Sequence, residues 1–149
     1  MQILLPYPDY EQTANALTPS ILRHQVMDII TTLSVIHETA RNLPMYEGHP
    51  SVMAWEGYAP QLAHFGLVCV EALQVRSLQA AKYRESLDWH LDTATSGEYS
   101  MDKPAWFGSP KLHRSHKSVL IRIDPLKYRR IWPSVPANLP EVFPYGSHR

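Results

Sequence analysis

The chain has 149 residues, 44% hydrophobic and 19% charged, with fourteen basic side chains balanced by fourteen acidic ones. That size predicts a single domain over 1–149 whose folding buries roughly two-thirds of the surface of its unfolded chain, and the composition fits a soluble globular protein. No apolar run approaches the ~20 residues of a membrane span, no signal-peptide pattern opens the chain, and the lone Cys69 excludes an intramolecular disulfide; the expectation is a cytoplasmic monomer without a membrane partner.

Residues 1–5 form a short apolar start, ended by Pro6 and Pro8. Thr18-Pro19 then reads as a helix cap followed by proline at the first helical position. Apolar residues at Leu22, Val26, Ile29, Ile30 and Leu33 follow the 3.6-residue period and predict a helix over 19–40. His24, Asp28, Thr31 and Val35 lie on its opposite, mostly polar side. Residues 42–49, with Pro44 and Gly48, read as a loop. His49-Pro50 places proline where a short helix over 51–57 can begin, with His49 as a hydrogen-bonding group at its N-terminus. Pro60 starts a segment whose face of Leu62, Phe65, Gly66, Cys69, Val70 and Leu73 runs to about residue 75. Cys69 is expected there as a small buried hydrophobe.

Residues 79–91 favour helix less periodically, and 93–108 read as a polar loop. Ser109-Pro110 supplies another cap-plus-proline start, for a helix over 111–123 that Asp124-Pro125 ends. The proline-rich remainder is expected to be extended and to pack over the body through Trp132, Leu139, Val142 and Phe143. With no repeat and no convincing strand pair, the fold class is all-α. Trp55, Tyr58, Phe65 and Trp106 read as core rather than as stacking platforms.

Charge is the strongest functional signal. Between Lys111 and Arg130 stand seven Lys/Arg and one acid, Asp124, a net +6 that leaves −6 for the rest. Hydroxyls and imidazoles are interleaved with these cations, a pattern suited to phosphates. The competing reading is a solvated helix face. His113 and His116 could share a metal on one helix face, but no third ligand stands at a diagnostic spacing, so neither metal nor cofactor is expected.

Several motifs recur in a recognisable order: His49-Pro50 leading to Met53-x-Trp55-x-Gly57-Tyr58, then Phe65-Gly66-Leu67 and Pro104-x-Trp106-Phe107-Gly108. They are followed by Leu112-His113-x-Ser115-His116-x-Ser118-x-Leu120-x-Arg122-x-Asp124-Pro125-x-x-Tyr128 and by Leu139-Pro140-x-x-Phe143-Pro144. Together they resemble the pyrimidine-dimer DNA glycosylase/AP-lyase family typified by the endonuclease V of T-even phages. The resemblance is closer to that family's bacterial and phage-borne relatives. It spans nearly the whole chain and is most specific over 112–128.

The resemblance implies a compact three-helix fold with additional short helices. It implies removal of a damaged or modified pyrimidine from duplex DNA, then strand cleavage at the abasic sugar, in the nucleoid or, for a phage protein, in the host cytoplasm. The family's nucleophile is an N-terminal α-amine and its essential carboxylate a Glu on the first long helix; those positions fall on Met1 and Asp28. An α-amine with a reference pKa of about 7.7–8.0 keeps a sizeable neutral fraction near neutral pH, which suits imine formation. A neighbouring carboxylate can stabilise positive charge at the sugar and carry a proton. Arg23, His24 and Gln25 are expected on the lesion side, and His113, Arg114, His116, Lys117 and Arg122 at phosphates. Asp28 is one methylene shorter than Glu, a loss of roughly 1.5 Å in reach. The alternative is a non-catalytic DNA-binding protein of the same fold, and a third reading is a helical scaffold unrelated to DNA.

Overall fold

Proline follows a capping residue at the head of four helices, and at each the chain turns helical where that pair directs it. A computed structural model describes residues 1–39, 43–46, 48–74 and 80–142. Its helices are α1 (Tyr10–Ala16), α2 (Pro19–Ile36), α3 (Leu43–Tyr46), α4 (Pro50–Trp55), α5 (Ala59–Gln74), α6 (Ala81–Thr95), α7 (Pro110–Ile123) and α8 (Pro125–Ile131). Among the described residues there is no strand, and the fold is all-α.

Two of the three expected caps bond as the sequence indicates, whereas Ser109 precedes Pro110 at the head of α7 without a side-chain capping bond. The Thr18 hydroxyl accepts the Ile21 N–H at 3.3 Å, and His49 Nδ1 accepts the Ser51 N–H at 3.2 Å. Each such bond satisfies an otherwise orphaned amide and stabilises its helix by about 1 kcal/mol. At the other end of α2, Glu38 adopts φ 57°, the Glu38 N–H reaches Val35 O, and the Thr39 N–H reaches back to Ser34 O. This left-handed stop, made by glutamate rather than glycine, ends the helix short of residue 40, which lies outside the described residues.

Three helices, α1, α3 and α8, were not anticipated. Asp9 accepts the Gln12 N–H at 2.7 Å and starts α1 within the stretch after Pro8. Asp124-Pro125 does end α7, but the Asp124 carboxylate also accepts the Lys127 N–H at 3.3 Å, so the same residue closes one helix and opens α8. The expected loop over 42–49 contains the single turn α3, and α6 runs past Leu91 to Thr95. Residues 75 and 79, given above as segment limits, lie outside the described residues.

Helices α2, α5 and α6 form the three-helix body, with α1 on α5 and α4 on α2. Leu22, Val26, Ile29 and Leu33 of α2 and Leu62, Phe65, Cys69 and Leu73 of α5 are buried together with Leu87 of α6. Burying a leucine, isoleucine or phenylalanine side chain stabilises by about 1.5–3 kcal/mol each, so this cluster dominates stability. Gly66 is where the three helices come closest: a Cβ there would lie 2.6 Å from Leu87 Cδ2 and 3.0 Å from Ile29 Cγ2.

After α8 the chain turns back along α7. Ser118 Oγ donates to Pro136 O at 2.7 Å, Ser115 Oγ to Pro140 O at 3.0 Å, and Arg122 Nη1 to Ala137 O at 2.6 Å. Trp132 is buried, while Leu139 and Val142 are half-buried, as expected of a packed tail. Phe143 lies outside the described residues.

Gly66→Ala improves intrinsic helix propensity by up to ~1 kcal/mol yet forces a methyl against fully buried neighbours. A net loss of about 1–2 kcal/mol is expected by urea denaturation, growing with Gly66→Val.

Candidate active site

The site is built on an extended segment with no strand to pair it. Ile3, Leu4 and Leu5 are buried, and buried backbone groups must find partners. Side chains far along the chain supply them. Gln25 on α2 embraces Leu4: its Oε1 accepts the Leu4 N–H at 2.9 Å and its Nε2 donates to Leu4 O at 2.6 Å. Two histidines of α7 hold Leu5 in the same manner. His116 Nδ1 accepts the Leu5 N–H at 2.8 Å, and His113 Nδ1 bonds Leu5 O at 2.7 Å.

These bonds fix the tautomers. His113 donates from Nδ1 to Leu5 O while its Nε2 accepts the Gly108 N–H at 2.9 Å, so the ring is neutral. His116 accepts at Nδ1, which leaves its proton on Nε2. Burial is the main reason both imidazoles titrate below the ordinary range, and His116 is pushed down to about 4.

With residues 3–5 held, the first two residues fall between α2 and α4. The Gln2 N–H donates to Asp28 Oδ2 at 3.2 Å, one peptide from the Met1 α-amine. The carboxylate therefore reaches the backbone amide of the second residue. Thr32 Oγ1 lies 3.6 Å from Met1 Sδ, and Ser51 Oγ bonds Met1 O at 3.5 Å. His49 completes the group. Its imidazole is held below its usual value first by burial and then by the positive α-amine, with the Asp28 charge acting in the opposite direction. Amine, carboxylate and imidazole thus share one electrostatic neighbourhood.

Met1 opens on a cavity of about 340 Å³ whose lining includes Gln2, His49, Ser51, Trp55, Trp106, Leu112, Ser115, His116 and Glu141. That volume lies in the range of small-molecule pockets, about 300–1,000 Å³. Trp55 is also core and Trp106 half-buried, meeting edge to face with centroids 4.9 Å apart.

The residues singled out from sequence therefore separate. Asp28 is bonded to the amide of Gln2, next to Met1, and Met1 and His116 line the same cavity. Gln25 and His113, expected to face DNA, are buried with their polar atoms engaged by Leu4, Leu5 and Gly108. Arg23, His24 and Arg114 are exposed. Lys117 is half-buried, its ammonium 5.0 Å from the Tyr7 ring and 5.7 Å from that of Trp132. Arg122 is exposed but tied at Nη1 to Ser118 Oγ and to the tail.

His49 and Glu141 were not identified as site residues. For His49 the available signal was its position before Pro50, which pointed only to helix capping; for Glu141 the sequence offered none. Gln25 carried a usable signal, since it stands three residues after Leu22 and four before Ile29, on the buried face. Among the described residues, no three metal-ligating side chains converge.

The histidine clasps make stability acid-sensitive. A His whose folded pKa lies below its unfolded value near 6.5 contributes fully above that value and loses its contribution as pH falls toward the folded one. Unfolding free energy should therefore drop between pH ~6.5 and ~4, with His116 accounting for on the order of 2 kcal/mol. His90, also pushed down to about 4 by burial and by His37, adds to the same limb. His116→Asn keeps an acceptor near the Nδ1 position without titrating. Urea titrations from pH 4 to 7.5 should show a shallower acid limb for this variant than for the parent.

Comparison of the chain with protein-family models, with curated proteins and with solved structures found no match.

Proposed function

We propose that this protein is a DNA glycosylase with AP-lyase activity, acting on a damaged or modified pyrimidine in duplex DNA through the α-amine of Met1. The observation that carries the reading is the Asp28 carboxylate bonded to the Gln2 amide, with Met1 facing a cavity beside His49. The motif resemblance to the pyrimidine-dimer glycosylases supports it independently, because it selected the same amine and carboxylate.

In the reaction the amine lone pair forms a bond to C1′ as the C1′–N1 bond breaks, and the bonding pair leaves on the base, which takes up a proton. Opening of the sugar ring gives the imine. Loss of a C2′ proton then expels the 3′ phosphate by β-elimination, and water hydrolyses the imine to free the enzyme. Asp28 stabilises the cationic sugar and moves the protons that imine formation and elimination require. His49 is a second group able to take a proton from the ammonium. Chemistry at C1′ needs the nucleotide turned out of the stack. Arg23, His24 and Arg114 are the exposed groups suited to hold the distorted duplex, with Arg122 and Lys117 adding partly engaged charge.

Borohydride trapping on an abasic duplex, with protein beginning at Met1, tests this. A covalent adduct is expected. N-terminal acetylation should abolish it, and Asp28→Asn should slow it by about 100-fold, the scale of a lost positioned acid–base group. Arg23→Ala and Arg114→Ala should each lower the slope of log affinity against log salt by about 1. Salt-dependent binding with no adduct under any condition would leave a binding module instead.

A further inference from the structure

Outside the Met1 cavity, two histidines meet where the end of α2 packs on α6. His37 caps α2, and His90 is buried on α6. Their Nδ1 atoms are 2.8 Å apart and their planes differ by 15°. That approach is closer than the ~3.5 Å of stacked faces, so the rings meet edge to edge. One nitrogen must donate and the other accept, and the neighbours decide which. The Ser34 hydroxyl gives its single proton to Ile30 O at 2.8 Å and so can only accept from His90 Nε2, 3.4 Å away. His90 is therefore protonated at Nε2 and bare at Nδ1, and His37 donates to it from Nδ1. This leaves His37 Nε2 as a bare lone pair, on an atom that is buried with no hydrogen-bond partner. The relay through Ile30, Ser34, His90 and His37 thus ends at one open basic position.

The pair secures a chain end under backbone strain. Next to His37, Glu38 takes φ 57°, a sparsely populated conformation for a residue with a side chain. The Glu38 and Thr39 amides bond Val35 O and Ser34 O. We propose that His37 and His90 form a proton-operated latch: uptake of a proton at His37 Nε2 breaks the bond between the rings and frees the end of α2 from α6. The added N–H has no acceptor where it stands, and burying an unpaired charge costs more still, so the imidazolium turns out to water. Burial already holds both rings below the ordinary histidine range. His90 is pushed down to about 4, by burial first and then by His37, which agrees with His37 taking the proton. The surroundings hold no buried countercharge. Tyr99 and Trp89 present rings to His37 at 5.7 and 6.0 Å. Glu38, Asp88 and Asp92, the nearest carboxylates along the two helices, are exposed. Lys82 and Arg84 stand about two turns before His90. Helix α5 sets His64 beside Tyr10 and Glu71 in a pocket with Glu11, and its Cys69 is kept neutral by burial. Helix α4 sets His49 near Met1 and Asp28.

Histidine NMR and amide exchange on the full chain test the latch. Long-range nitrogen–proton spectra at neutral pH should show His37 protonated at Nδ1 and His90 at Nε2. A released His37 titrates near its ordinary value of about 6.5 and a latched one below it, so the latch is fully closed above that pH and weakens as pH falls. Protection of the Glu38 and Thr39 amides should therefore drop about 10-fold between pH ~6.5 and ~5.5. Val26 and Ile29, which exchange only when the body opens, should stay at least ~10-fold better protected. His37→Ala removes both the titration and the bond. In that variant Glu38 and Thr39 should be poorly protected at every pH, with Val26 and Ile29 still protected. His37 found protonated at Nε2 in the neutral spectra overturns the proposal. So does protection at Glu38 and Thr39 that is flat with pH in the parent, or that stays high in the variant. Loss in step with Val26 and Ile29 overturns it as well, since the end of α2 then opens only with the whole body. The measurements on the parent decide the matter even where the variant fails to fold.

Discussion

The structure depends on one requirement: an extended, buried N-terminal segment must have its backbone polar groups satisfied without a neighbouring strand. An unpaired buried amide or carbonyl costs about 1–3 kcal/mol, and residues 1–5 present several of them. Gln25 meets two at Leu4, His116 and His113 meet two at Leu5, and Asp28 meets one at Gln2. The clasps also join parts of the fold. Hydrogen bonds from α7 and α8 run to Leu5, to Ala16 through the Tyr128 hydroxyl, and to Tyr7 through Trp132. The segment therefore acts as a seam between the three-helix body and the α7–α8 pair, and its free end emerges where they meet.

That arrangement explains why polar residues on amphipathic helices were misread. Helix periodicity distinguishes an apolar face from a polar one, but it carries no information about a side chain that is buried because a foreign backbone needs it. Gln25 sits on the same face as Leu22 and Ile29, and His113 next to Leu112, so both were inside while chemically suited to the outside. The cap-and-proline pairs at Thr18 and His49 are local chemistry and were legible, as was the helix start at Pro110, although Ser109 makes no capping bond there. So was the Asp124-Pro125 boundary, although its second role as the opening of α8 was not. The assignment of Met1 and Asp28 rests on motif order rather than on spacing. The cavity walls, assembled from residues 1–3, 49–55, 106–116 and 141–142, had no signature short enough to see.

The same seam constrains chemistry at the N-terminus. A terminal residue is ordinarily the least ordered part of a chain. Here the carbonyl and sulfur of Met1 lie against Ser51 and Thr32 and the next amide against Asp28. If the amine reacts as proposed, its placement comes from the residues that satisfy the segment's backbone. His116 belongs to both clasp and cavity, holding Leu5 through Nδ1 and lining the space beside Met1.

The sequence distance across the clasps has a consequence in time. Leu5 meets His113 and His116 across 108 and 111 residues. During synthesis the apolar triplet of residues 3–5 is made before α7 and waits for it, while α2, α5 and α6 can already pack. At about 5–20 residues per second, that interval is on the order of 5–20 s. For those seconds the segment is exposed hydrophobic chain, open to chaperones, and it cannot find its place until α7 has been made.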